Sequence, residues 1–213
     1  MKSDLNFIKK ISEINEIEFN EILNDDDTPF TQYSFLDSLE KSNSVSASNG
    51  WKPIHLLSLK DRKINGFMPL YLKDNSHGEF VFDHSWSYAL SQAGRRYYPK
   101  LLTAIPFTPC ETRKIICKEN GDDFIQTTKD LMIKKNIETW HVLFPDFETS
   151  KILKKNKLIE RSGYKFIWKN KNYESFEDYL KIFRSRQRKN IKNERKKIFN
   201  SGITFSIKEA DSL

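Results

Sequence analysis

Two titratable side chains lie inside apolar sequence, where burial can move a pKa: Asp83, directly after GEFVF, and His141, inside WHVLF. Either could take the proton of an attacking amine. Each also has a structural use, since Asp83 precedes HSWSYA and could cap a short helix, and a strand histidine is commonly hydrogen-bonded into a core. A second concentration of reactive types is YYPKLLTAIPFTPCETRK, Tyr97 to Lys114. Its Tyr98, Lys100, Thr108 and Arg113 offer a phenol, an ammonium, a hydroxyl and a guanidinium, and Trp86 supplies an aromatic wall nearby. Pro99, Pro106 and Pro109 cannot donate to a ladder, so Leu101–Ile105 reads as a short strand fenced at both ends and followed by a rigid turn. With Asp83 and His141, these residues are expected to line one pocket.

Charge supplies a third group. The chain carries +7 overall, yet eight cations and a single acid fall between Arg184 and Lys197, and the rest holds 28 residues of each sign. Basicity is therefore local. Arg188, Lys192 and Arg195 form a stripe beside the apolar positions Phe176, Leu180, Phe183, Ile191 and Ile198. Like charges one turn apart repel, so an anion would stabilise such a helix, although most charge runs are solvated faces. The stripe is expected to bind an anionic donor, a nucleotide-linked precursor or RNA.

Several chemistries have no signature here. There is no G-x-S-x-G elbow, no Walker A sequence, no G-x-G-x-x-G and no H-E-x-x-H. Cys110 and Cys117 have no second pair to make a zinc ribbon, and the four histidines are scattered, so no metal is expected. The N-terminus lacks an apolar signal region and no apolar run approaches the ~20 residues of a membrane helix. A soluble, cytoplasmic protein is the expectation.

The elements that must position these groups alternate. Strand patterns fall at Asn6–Ile11, Ile54–Leu59, Ile64–Leu72, Glu79–Phe82, Leu101–Ile105, Lys114–Lys118, Thr139–Phe144, Tyr164–Trp168 and Ile203–Lys208. Helical patterns fit Ile14–Leu23, Thr31–Lys41, Ser85–Ala93, Asp122–Lys135, Thr149–Lys155 and one long helix, Phe176–Phe199, capped by Ser175 and stopped at Gly202. Asp61-Arg-Lys predicts a hairpin, and the helix before Trp140 a return to a neighbouring, parallel strand. An α/β protein with a mixed sheet follows.

The segments GWKPIHLL, MPLYLKDNSHGEFVFDHSWSYA, RRYYPKLLTAIPFTPCETRKI, WHVLFP and SFEDYLKIFRSRQRKNIKNERKKIFNSGI occur in the order seen in FemAB-like predicted N-acyltransferases. The chain resembles the first half of that family, which is filed under peptidoglycan biosynthesis or recognition and assigned to the GNAT superfamily. The resemblance implies a GNAT-like domain over residues 1–173, then a long basic connecting helix and the start of a strand over 174–213. The Gly-Ala-Gln-Gly-Glu-His-Lys motif of the family's second half has no counterpart, and the polar pair usual around Lys165 and Ile167 is not kept. By resemblance the activity is transfer of an acyl or aminoacyl group to an amine, with Asp83 and His141 catalytic. Trp86, Tyr98, Lys100, Thr108, Arg113, Arg188, Lys192 and Arg195 would bind substrate. No tightly bound cofactor is implied; the donor would be an acyl-CoA or an aminoacyl-tRNA, the acceptor a cell-wall precursor, and the partner a second GNAT-like half or a second copy. The Gln/Arg-x-x-Gly-x-Gly/Ala turn that holds acetyl-CoA pyrophosphate is missing. A noncatalytic module that holds RNA or another polyanion through the basic helix is the second reading.

Overall fold

The computed structural model describes residues 4–119 and 121–208. Among them the chain divides into two compact units, one ending at Arg161 and one beginning at Ser162.

The first unit holds two sheets rather than the single mixed sheet expected, because the run 64–72 breaks at Pro69 into two strands that join different sheets. Strands β1 (Asp4–Ile8), β3 (His55–Lys60), β4 (Lys63–Met68) and β7 (Ile116–Cys117) form the first, antiparallel throughout, in the order β1-β3-β4-β7. Asp61 and Arg62 turn the β3–β4 hairpin with φ of 51° and 66°, the paired left-handed geometry that matches strand twist. Strands β2 (Lys52–Pro53), β5 (Tyr71–Lys73), β6 (Lys100–Thr103) and β8 (Trp140–Val142) form the second. Its β5–β6 pair is antiparallel and its β6–β8 pair parallel, the return reached through helix α4 (Asp122–Lys135).

Helices α1 (Glu16–Asn20) and α2 (Tyr33–Lys41) bury Phe19 and Leu36 with Ile8, Leu57 and Phe67 of the first sheet. Phe124 and Ile125 of α4 and Leu153 of helix α5 (Phe147–Lys155) close a second cluster with Leu56, Leu70 and Leu101. Trp51, Tyr71, Leu102 and Leu143 make a third, beside the candidate site. Removing these apolar surfaces from water supplies the main stabilisation. Helix α3 (His84–Gln92) differs from its neighbours in that it buries none of its residues.

In the second unit the expected long helix is two: α6 (Phe176–Leu180) and α7 (Ser185–Asn200), separated where Arg184 adopts an extended backbone. Ser175 Oγ caps α6 by accepting from Asp178 N at 3.1 Å, and Gly202 follows α7 with φ of 75°. The strands expected at 79–82, 164–168 and 203–208 do not form. Alternation alone makes no strand without a neighbour to pair with; Tyr164 and Phe166 are 99% and 98% exposed. Leu180 is buried, whereas Phe199, Phe205 and Ile207 are exposed.

Candidate active site

Strand pairing creates the electrostatic problem that the site solves. In the β5–β6 register Lys73 stands directly opposite Lys100, and both side chains are fully buried. Like charges facing each other across a ladder, out of water, require anions. The loop after β5 supplies two. Lys100 Nζ donates to Glu79 Oε2 at 2.8 Å, to Asp83 Oδ2 at 2.6 Å and to Ser76 Oγ at 2.8 Å, which uses all three of its N–H groups. Lys73 Nζ lies 4.0 Å from Glu79 Oε1, donates to the carbonyl of His77 at 3.1 Å and sits 3.8 Å from the centre of the Trp51 ring. Two buried cations face two buried carboxylates.

Asp83 Oδ2 is a hub. Besides Lys100 it accepts from Ser76 Oγ at 2.8 Å and from the Tyr97 hydroxyl at 2.5 Å. Burial alone would raise the Asp83 pKa, but the hydrogen bonds from Lys100, Tyr97 and Ser76 outweigh it and bring it down to about 2. Asp83 is at the N-cap position of α3 without bonding its backbone, so the carboxylate serves the network and not the helix. Because Ser76 gives its proton to Asp83, Tyr98 is the donor in its own 2.7 Å contact with Ser76. Burial, and then the bond to Asp83, pushes the Tyr97 phenol up. Desolvation raises Glu79 against the pull of Lys100, and lowers Lys73 to about 8.

His141 enters from β8, where its register partner is Leu102 of β6. Its Nε2 is 3.3 Å from the Tyr97 oxygen. Tyr97 has one hydroxyl proton and Asp83 takes it, so this contact is a hydrogen bond only when Nε2 carries the proton; Nδ1 then holds the lone pair. Desolvation, with Lys100 and Arg161 nearby, lowers the imidazole pKa to about 4 against the opposing pull of Asp83. The ring is neutral at pH 7. Trp86 of α3 meets it edge-on at 5.8 Å, and the Arg161 guanidinium lies 5.4 Å from the Trp86 ring centre.

Of the residues singled out in the sequence, Asp83, Trp86, Tyr98, Lys100 and His141 come together here. Thr108 and Arg113 are held by other partners: Thr108 Oγ1 donates to the carbonyl of Pro106 at 2.9 Å, and Arg113 forms a two-point ion pair with Asp27. Arg188, Lys192 and Arg195 belong to α7 in the second unit, where Lys192 pairs with Glu177 at 2.7 Å and Arg195 lies over the Phe176 ring at 4.2 Å. Ser76, Glu79, Tyr97 and Arg161 were not singled out as site residues. A lysine closing or opening an otherwise apolar strand, as in YLK and KLLT, was the legible sign of a buried cation.

Donor atoms of Glu79, Asp83 and His141 lie within 4.8 Å of one another, close enough to share a metal ion. Lys100 Nζ already bridges the two carboxylates, however, so a dication there would be forced against an ammonium; lysine, not metal, balances this charge. One oxygen of each carboxylate, Glu79 Oε1 and Asp83 Oδ1, is buried without a hydrogen-bond donor among the described residues. The arrangement therefore combines a neutral imidazole, a fixed carboxylate and unused acceptors, which suits removal of a proton from a nucleophile.

Fold and site define a mixed α/β protein with a buried cluster of two lysines, two carboxylates, two tyrosines and a histidine between sheet and loop. The family model for peptidoglycan biosynthesis and recognition proteins matches residues 10–213, and the chain belongs to this FemAB-like family. No curated protein and no solved structure matches it. Among the described residues no helix is long and apolar enough to cross a membrane.

Proposed function

We propose that this chain provides a GNAT-like domain that transfers an acyl or aminoacyl group to an amine of a peptidoglycan precursor. The observation that carries this reading is a neutral imidazole beside a carboxylate held ionised by three donors, with a buried oxygen of that carboxylate lacking a donor. The amine nitrogen attacks the acyl carbonyl carbon, and His141 Nδ1 takes the proton that becomes acidic as the new C–N bond forms. The bond to the leaving group then breaks, and that proton passes to the departing oxygen or sulfur. Asp83, with a pKa near 2, is a poor proton acceptor at pH 7 and acts by orienting Tyr97 and, through it, His141. Trp86 walls the acceptor side. Family membership supports the peptidoglycan setting.

The test is incorporation of a labelled acyl or aminoacyl group into a cell-wall precursor, with acyl-CoA and aminoacyl-tRNA supplied separately as donors. Transfer that falls at least 100-fold in His141→Gln supports the reading; background incorporation from both donors, with and without an added FemAB-like second half, refutes it.

A second reading rests on α7, which together with its cap residue Arg184 carries the charge excess of the whole chain. In it the second unit holds RNA or another polyanion through Arg188, Lys192 and Arg195, and no transfer occurs.

A further inference from the structure

Arg161 is set apart from other arginines of the first unit by its surroundings. Arg95 is paired with Glu138 at 2.7 Å and Arg113 with Asp27; among the described residues Arg62, Arg96 and Arg161 have no carboxylate partner, and of these three Arg161 is the one laid over an aromatic ring. Its guanidinium instead lies over the Trp86 ring, and Trp86 is 44% exposed. The same ring meets His141 edge-on at 5.8 Å, and His141 in turn reaches the buried Tyr97, which is bonded to Asp83 and through it to Lys100. Exposure falls along this series, from an exposed Arg161 and Trp86 through a half-buried His141 to a buried Asp83 and Lys100. A guanidinium supported by an aromatic ring keeps its N–H donors in a planar fork that fits the two oxygens of a carboxylate or phosphate.

We propose that Arg161, laid over Trp86 beside His141, is a binding place for an oxyanion group, carboxylate or phosphate, of the molecule on which the site acts. The groups facing His141 are Lys100 and Arg161, which are cationic, Asp83, which is anionic, and the neutral Tyr97. An oxyanion held by Arg161 cancels one of the two cations that weaken His141 as a base, so occupancy strengthens the base at the moment the ligand is in place. A ligand without the anionic group would meet a weaker base. The inference rests on the transferase reading for its catalytic meaning, but binding is measured without turnover.

The experiment is NMR on the full chain at pH 7, following the Trp86 indole and His141 ring resonances. Inorganic phosphate and acetate are titrated separately at constant ionic strength set with chloride. Saturable shifts of both residues are expected with at least one ion: phosphate alone identifies a phosphoryl group as the ligand feature, acetate alone a carboxylate, and both a general oxyanion site. Arg161→Gln should abolish the shifts, and Arg161→Lys, which keeps the charge without the fork, should weaken binding several-fold. In the Gln variant without added ion, the His141 pKa should rise by about half a unit. Shifts that fail to saturate with either ion, or that persist in a folded Arg161→Gln protein, overturn the proposal. A missing anion response alongside intact labelled transfer would remove this inference and leave the transferase reading standing. An intact response without transfer would do the reverse.

Discussion

Replacing Lys100 by Met tests the buried network at its centre. Met matches the length and apolar stem of lysine, so packing is kept while Nζ and its bonds to Glu79, Asp83 and Ser76 are lost. Two carboxylates would then face each other in the interior with only Lys73, 4.0 Å from Glu79, to compensate. Removing one partner of a buried pair costs about 3–5 kcal/mol, and the remaining lysine places this case near the lower end. The pH dependence is more diagnostic than the size. In the native protein the Asp83 pKa lies below its unfolded value, so its contribution is complete above pH ~4 and is lost as pH falls through about 2. Without Lys100 both carboxylates are pushed up by desolvation, and the folded state then binds more protons than the unfolded one. The stability gap between the variant and the native protein should therefore narrow on acidification from pH 7 to 5, over and above the His141 loss that both share. Urea unfolding is the suitable assay because guanidinium would screen the charges. A Lys100→Met midpoint equal to that of the native protein at pH 7, or an unchanged slope between pH 7 and 5, would refute the assignment of Lys100 as the internal counter-ion.

Other consequences are direct. Tyr97→Phe removes one of three donors to Asp83 and the link to His141, so stability should fall by about 1–2 kcal/mol and transfer should fall with it, read by urea unfolding and by labelled incorporation. The His141 pKa, lowered from 6.5 to about 4, means that the unfolded chain takes a proton first on acidification; native stability should drop as pH falls between these values, by about 3 kcal/mol in full, and His141→Gln should lack that slope in urea titrations. Reversing Arg188, Lys192 and Arg195 to Glu should flatten the salt dependence of RNA binding if α7 is a polyanion site; an unchanged slope removes the second reading.

The legible parts of the fold were those in which local chemistry and tertiary packing agree. Helix α4 was read at its observed bounds because acids open it, lysines close it, and Asn136 takes the left-handed cap conformation at φ of 52°. The Asp61 hairpin and the parallel return to β8 were read for the same reason. What failed was set by distant neighbours. Glu79–Phe82 alternates like a strand, yet Glu79 is drawn inward by Lys100 and Phe80 adopts a left-handed backbone, φ 56°, that no ladder accommodates. Asp83 and His141 were visible because a titratable group in apolar sequence is conspicuous. Their chemical partners were hidden: Tyr97 reads as core filler, and the opposition of Lys73 to Lys100 depends on a strand register that sequence does not print.

In the proposed reaction His141, fixed by Tyr97 and Asp83, accepts the amine proton. The most direct measurement of this step is the single-turnover rate of labelled transfer to a cell-wall precursor by the native protein, His141→Gln and Asp83→Asn, each verified as folded. The expected result is a loss of 100-fold or more for His141→Gln and a smaller loss for Asp83→Asn, whose effect is on orientation. Native rates in a folded His141→Gln protein would contradict it.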